Sequence, residues 1–128
     1  MIKVFIDTDV IIDFTNSKGR ILINLLTKQR QSKVHLMINP VVISEFFTDK
    51  KLKDGQMLTK AKQLFGFFTP IEISARIGYL AGDILREGKI DLIGDAFIAA
   101  TCVLHNLPLV TRNKKHFAKV NELQFYES

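Results

Sequence analysis

Cysteine, proline and glycine are scarce in this chain, and tryptophan is missing: 128 residues include one Cys, three Pro and seven Gly. A lone Cys102 excludes an intramolecular disulfide framework and any Cys-based zinc cluster. The composition is not that of a disordered, collagenous or low-complexity chain. Long apolar runs are missing as well. Asp7 and Asp9 break the N-terminal stretch where a signal peptide needs an unbroken apolar segment. The longest uncharged stretch, Ala96–Thr111, carries His105, Asn106 and Pro108 and is too short and too polar to span a bilayer. The expectation is a soluble, cytoplasmic protein with no membrane association, its free thiol consistent with a reducing compartment. Nor are the common chemistry-bearing motifs present: no GxGxxG after a strand, no GxxxxGK[ST], no HExxH and no GxSxG. His35, His105 and His116 show no short metal-binding spacing and read as structural or solvated.

What is present is 47% hydrophobic and 24% charged residues, with ten Phe. The length fits one domain, 1–128, which buries roughly two-thirds of its unfolded surface and needs no staples. The net charge of +5 favours anionic partners such as nucleic acid, although many soluble domains carry as much.

Apolar periodicity alternates between strand and helix. Ile2–Ile6 reads as a buried strand, and Asp7-Thr8-Asp9 as the cap of a helix beginning near Val10. A helix is expected over Lys18–Gln31 and a strand over Val34–Ile38. Asn39-Pro40 then starts a helix running to about Thr48. Lys50–Asp54 reads as an exposed turn, Met57–Phe67 as a helix and Thr69–Ile73 as a short strand. Ser74 caps a helix that ends before Gly88, and another spans about Leu92–Asn106. Leu107–Val110 and Leu123–Tyr126 read as strands, with a helical turn at Lys114–Phe117. The pattern predicts an α/β fold, a three-layer α/β/α sandwich around a mostly parallel sheet. Ligands in such sheets bind at the carboxyl ends of the strands, which directs attention to Asp7-Thr8-Asp9.

The informative residues are carboxylates among apolar neighbours: Asp7 at the end of a strand, Glu45 in VVISEFF and Asp95 in LIGDAFIAATCV. On a helix Asp95 shares a face with Ile98, Ala99 and Cys102. A carboxylate facing a core must be paired, capped, protonated or metal-bound. Taken singly, Asp7 and Asp9 are explained as caps, Asp95 by a helix dipole and Glu45 by a solvated stripe. Taken together they favour one shared site. Like charges in one site raise each other's pKa, and a divalent cation resolves the conflict. Oxygen-only ligands suit Mg²⁺ or Mn²⁺ rather than zinc. With Asp7, Glu45 and Asp95 set aside, ten acidic residues stand against eighteen basic ones, or +8. An acidic metal pocket in a basic surface suits cleavage of a phosphodiester backbone.

The segments IDTDVIIDF, VVISEFF and DAFIAATCVLHNLPLVTRNKKHF, in this order and over essentially the whole chain, closely resemble the PIN-domain proteins. The closest subgroup is the VapC-type toxins of toxin–antitoxin pairs. The resemblance implies a Rossmann-like sandwich and Mg²⁺- or Mn²⁺-dependent hydrolysis of RNA. Asp7, Glu45 and Asp95 match the family's first three acids, with Asp7 and Asp95 as direct metal ligands. Glu45 binds the metal through water or orients the attacking water. Asn113 stands at the fourth acidic position and leaves the site one charge short. Thr111 matches a hydroxyl that hydrogen-bonds within the cluster, with Thr8 and Asp9 as supporting residues. The resemblance further implies a cognate antitoxin whose C-terminal segment lies across the site, a homodimer, and structured RNA substrates that include tRNA.

Arg112, Lys114 and Lys115 flank Asn113 and are expected to contact phosphate. Lys50, Lys51 and Lys53 either grip RNA or form a solvated loop. The pairs Phe46-Phe47 and Phe67-Phe68 are expected to split between core and a partner surface. The alternative to a ribonuclease is a PIN-like module that holds RNA or a protein without cutting, which the departure at Asn113 keeps open. A phosphoacceptor receiver-like domain fits less well, because no central-strand Asp acceptor or late Lys is evident.

Overall fold

Val4, Phe5 and Ile6 are consecutive in strand β1 (Ile2–Ile6), so they point alternately to opposite sheet faces, yet none is exposed. Both faces of the central strand are therefore covered, as the expected three-layer sandwich requires. In this computed structural model, which describes residues 1–127, β1 pairs in parallel with β2 (Val34–Ile38) on one side and β4 (Leu109–Val110) on the other. Ser128, the last residue of the expected domain, lies outside the described residues. β3 (Thr69–Pro70) pairs in parallel with β2, giving the order β3-β2-β1-β4. The strand order reverses between β1 and β4, and the carboxyl ends of those two strands open onto the same end of the sheet.

Helices flank this sheet: α1 (Thr8–Thr15), α2 (Ile21–Arg30), α3 (Pro40–Phe47), α4 (Gly55–Phe65), α5 (Ala75–Arg86), α6 (Ile93–Leu104) and α7 (Lys114–Phe117). Their starts follow from local chemistry. Asp7, Asn39, Asp54 and Ser74 each accept a backbone N–H at the start of α1, α3, α4 and α5. α2 starts at Ile21 rather than Lys18, because Ser17 (φ 57°) and Gly19 (φ 70°) hold the preceding loop in the left-handed region. α4 starts two residues before Met57, where the Asp54 carboxylate takes the N–H groups of Gln56 and Met57. The turn at Lys50–Lys53 is a single 3₁₀ turn. Among the described residues no helix is long and apolar enough to cross a membrane.

The expected strand at Leu123–Tyr126 reduces to one bridge, Leu109 to Phe125. Leu109 N–H donates to Gln124 O (2.8 Å) and Tyr126 N–H to Leu109 O (2.9 Å). β4 is only two residues long and offers no further ladder to extend. Of the phenylalanine pairs, Phe46, Phe47, Phe65 and Phe68 stack with ring centroids 4.9 to 5.4 Å apart, whereas Phe67 is exposed.

One buried polar link joins the two helices that carry Glu45 and Asp95. The Asn39 side chain, fully buried, accepts from Val42 N–H and donates to Thr101 Oγ1 on α6 (3.0 Å), and that hydroxyl in turn donates to Phe97 O. Asn39→Ala is expected to cost about 1–3 kcal/mol, since it strands a buried backbone donor at the helix start. Urea denaturation of the two proteins checks this; an unchanged midpoint would show that the link is dispensable.

Candidate metal and active site

The site lies at the switch in strand order, where a sheet of this topology leaves a crevice. Asp7 follows β1 directly, Thr111 follows β4 directly, and the two meet: Thr111 Oγ1 donates to Asp7 Oδ2 at 2.8 Å. The other Asp7 oxygen accepts from Thr8 N–H (2.8 Å), so the carboxylate is fixed at both ends. Thr8 Oγ1 then donates to Glu45 Oε1 (2.7 Å), which couples α1 to α3. Asp9 takes the loop after β4: Oδ2 accepts from Arg112 N–H (3.2 Å) and from Asn113 Nδ2 (3.1 Å). Among the described residues, Asp9 Oδ1 is the one buried side-chain oxygen or nitrogen without a hydrogen-bond partner.

Asp7, Thr8, Asp9, Glu45, Asp95 and Asn113 line a single shallow cleft of about 250 Å³, together with Ile12, His116 and Phe117. The structure thus brings together the three acids and Asn113. They do not share one environment. Asp7 is buried, Asp95 is half-buried in the first turn of α6, and Glu45 is exposed at the rim despite its apolar neighbours in sequence. Burial, then the charge of Asp9, raises the Asp7 carboxyl to about 7, against the opposing hydrogen bonds from Thr111 and Thr8. Burial raises Asp9 too, with the Arg112 N–H pulling the other way. Asp95 is raised by burial and by Glu45, and is opposed by His116, whose Nδ1 stands 3.9 Å from Asp95 Oδ2.

Of the three flanking cations, Arg112 pairs its guanidinium with Asp13 on α1, Lys114 Nζ meets Glu127 Oε1 at 3.2 Å, and Lys115 is exposed. Three contributions are not evident from residue types alone. The Asn39–Thr101 link fixes α3 against α6. The Asp13–Arg112 pair ties α1 to the loop that caps Asp9. Gly94 admits Glu45: a Cβ on Gly94 would lie 2.7 Å from Glu45 Oε2. The one signal available in sequence for the last is a glycine immediately before an acid at a helix start.

Whether the site suits a cation rests on its donors and its charge. Among the described residues no three of Asp, Glu, His or Cys are arranged so as to hold a metal ion as they stand. The fit lies in the chemistry: carboxylate oxygens gathered in one cleft with the His116 imidazole beside Asp95, a buried carboxylate raised to about 7 by its surroundings, and a buried Asp9 oxygen with nothing to accept from.

Known proteins resemble this chain over most of its length. The chain is 29% identical to a ribonuclease VapC of Rickettsia bellii over 93% of its own length and 91% of that protein. It is 30% identical to ribonuclease VapC1 of Methanocaldococcus jannaschii, over 98% of this chain and 88% of the relative. Among solved structures it superposes on a toxin–antitoxin complex from Klebsiella pneumoniae with TM-score 0.72 and 27% identity, covering 98% of this chain and 99% of that one. A DNA-bound VapBC from Salmonella typhimurium shares the fold (TM-score 0.79, 17% identity, 98% of each chain). The family model described as PIN domain matches residues 4–123, nearly the whole chain, and with the sheet order, the switch-point acids and these relatives it shows that the protein belongs to the PIN domain family and is VapC-like.

Proposed function

We propose that this protein is a Mg²⁺- or Mn²⁺-dependent endoribonuclease that hydrolyses RNA phosphodiesters, and that it is the toxin of a type II pair restrained by a cognate antitoxin. The observation that carries the reading is Asp7. It is a buried carboxylate at the carboxyl end of the central strand, fixed by two donors and still raised to about 7. The relatives named ribonuclease support the reaction class, and the Klebsiella toxin–antitoxin complex supports the partner.

Asp7 and Asp95 would hold the cation, with Glu45 beside them. The bound ion would polarise the scissile phosphate and make water a better nucleophile at neutral pH. The chain's own residues do the rest. Thr111 and Thr8 N–H hold Asp7 in one orientation, so the site needs little reorganisation. Thr8 Oγ1 ties down Glu45 Oε1 and leaves Oε2, over Gly94, to orient the incoming water and take its proton. Asn113 occupies its amide on Asp9, so it contributes a donor that stabilises the charge of Asp9 and not a fourth carboxylate. Exposed Lys115, with Lys114 and Arg112 near it, lends positive charge beside the acids for the phosphate backbone. A larger groove of about 730 Å³ between α1, α3 and α4 shares Ile12 and Glu45 with the cleft. An antitoxin segment seated there would cover Glu45. The exposed apolar side chains Tyr79, Leu92 and Ile93 on α5 and at the start of α6 suit the expected homodimer.

Purified protein incubated with total RNA in Mg²⁺, Mn²⁺ or EDTA, followed by mapping of new ends, tests the proposal. Metal-dependent new ends support it. Tight RNA binding without any cleavage would replace it with the non-cutting module.

Gly94→Ala separates the site from the fold. Alanine is the better helix former by about 1 kcal/mol, so the variant should melt at the same temperature or higher. Its Cβ nevertheless displaces the Glu45 carboxylate, and cleavage should fall about tenfold or more. Shortening the partner in Gly94→Ala/Glu45→Asp should recover part of the loss. Full activity in Gly94→Ala would show that the position of Glu45 does not matter.

A further inference from the structure

A second cavity, of about 460 Å³, lies beside the acidic cleft, enclosed by α2, the start of α7 and the C-terminal segment. Arg20, Asn24, Lys28, Lys114 and Tyr126 line it, and Thr111 does so as well. The chain passes between the two sites over Thr111–Lys114. Thr111 bonds Asp7 and also lines the second cavity; Asn113 lines the cleft, and Lys114 lines the cavity. The two sites thus share one wall, the Thr111–Lys114 loop.

The cavity's charge is one-sided. Among the described residues its one carboxylate, Glu127, pairs with Lys114 (3.2 Å), and neither Arg20 nor Lys28 forms an ion pair. Lys28 is also held in place. It is half-buried, its Nζ donates to Tyr126 Oη (3.3 Å), and it stands 5.8 Å from the centre of the Tyr126 ring. Lysines on a solvated surface move freely, whereas this one is hydrogen-bonded at the hydroxyl end of Tyr126, beside Arg20. Such a pairing presents positive charge to a phosphate in a fixed place and tolerates any base.

We propose that Arg20 and Lys28, with the Tyr126 hydroxyl holding Lys28 in place, bind a backbone phosphate of the RNA strand outside the scissile step. The proposal rests on the ribonuclease reading and extends it to residues of α2 and the C-terminal segment.

The test uses the full chain carrying Asp95→Asn, in EDTA, and a labelled single-stranded oligoribonucleotide of about 12 nucleotides. Affinity is measured as salt is raised. Adding Arg20→Gln and Lys28→Gln should weaken binding about fivefold or more. It should also flatten the log–log salt dependence by about 0.7, the contribution of one neutralised phosphate on a single strand. Tyr126→Phe keeps the ring but frees the lysine, and should give a smaller loss of affinity. Lys60→Gln with Lys62→Gln, on α4, removes the same charge away from the cavity and should leave the slope nearly unchanged. Melting curves confirm that each variant is folded. An Arg20/Lys28 variant with its parent's slope, or an α4 variant that loses as much, would overturn the cavity's role while leaving the ribonuclease reading intact. Failure of the Asp95→Asn parent to bind RNA at all would overturn both. If polyglutamate, and not RNA, loses affinity in the Arg20/Lys28 variant, the cavity belongs to an acidic protein segment and the RNA assignment is wrong.

Discussion

Asp7→Asn should lose RNA cleavage by at least about 100-fold while the protein remains folded. Changing a residue that only supports a metal ligand already costs about 10- to 100-fold, and Asp7 is placed to act directly. The substitution is close to neutral for shape. Asn can still accept Thr8 N–H at one atom, and its amide can donate to Thr111 Oγ1, which already receives Asn113 N–H and has a second lone pair. What disappears is the negative charge. The comparison therefore isolates charge from packing in a way that Asp7→Ala does not, since Ala also removes the cap of α1. Glu45→Gln and Asp95→Asn should behave alike, and each should also relieve the growth inhibition a toxin causes in the producing cell. Metal-dependent cleavage of total RNA by the purified variants is the measurement. Folded Asp7→Asn with undiminished cleavage would remove the acids from the chemistry and leave the fold as a binding scaffold.

How much of this was legible beforehand depends on the range of the interaction. Periodicity located β1, β2 and the helices because burying one stripe of a helix, or both faces of a strand, leaves a local imprint. Ile2–Ile6 and Val34–Ile38 coincide with the observed strands for that reason. The short elements were less legible. β4 keeps only Leu109–Val110 of the expected Leu107–Val110, and the last segment pairs through one bridge, because pairing at the sheet edge depends on neighbours that no local pattern encodes. The acids were legible as a group, since a carboxylate in an apolar run is costly unless used. Their separate environments were not. Glu45 sits among Ile43, Phe46 and Phe47 in sequence yet is exposed, because α3 turns that side toward the cleft mouth. Long-range contacts outside the resemblance were the least visible: Asn39 to Thr101 spans 62 positions, whereas Thr111 to Asp7, 104 positions apart, was expected as a hydrogen bond within the acidic cluster. Asn113 illustrates the difference. As a residue type it reads as a missing carboxylate, but in the folded chain its amide answers Asp9, and an aspartate there would set two carboxylates against each other.

The charge stored at Asp7 also makes the metal-free protein sensitive to pH, with a sign opposite to that of a salt-bridged acid. Its carboxyl stands near 7 when folded, against 3.8 as the ordinary value. Well below pH 3.8 both states are protonated and the group contributes nothing. As pH rises from 4 to 7 the unfolded chain releases the proton while the folded one retains it, so the folded state loses ground throughout that window. Above 7 both are ionised and the penalty stays constant, at most about 4 kcal/mol at 1.36 kcal/mol per pH unit. Asp9 and Asp95, raised in the same direction, add to the trend. In EDTA, urea unfolding of the wild type should show stability declining from pH 5 to pH 8. Asp7→Asn should decline less, so that its advantage over the wild type is largest at pH 8, smaller at pH 5 and gone well below pH 3.8. A cation that binds the ionised site only when folded should reverse the trend. Saturating Mg²⁺ should therefore raise the wild-type stability most at pH 8, and should raise Asp7→Asn little at any pH. Parallel pH curves for the two proteins in EDTA would mean that Asp7 is already ionised at pH 5 in the folded state. In that case like-charge repulsion and burial are not what the cation would relieve.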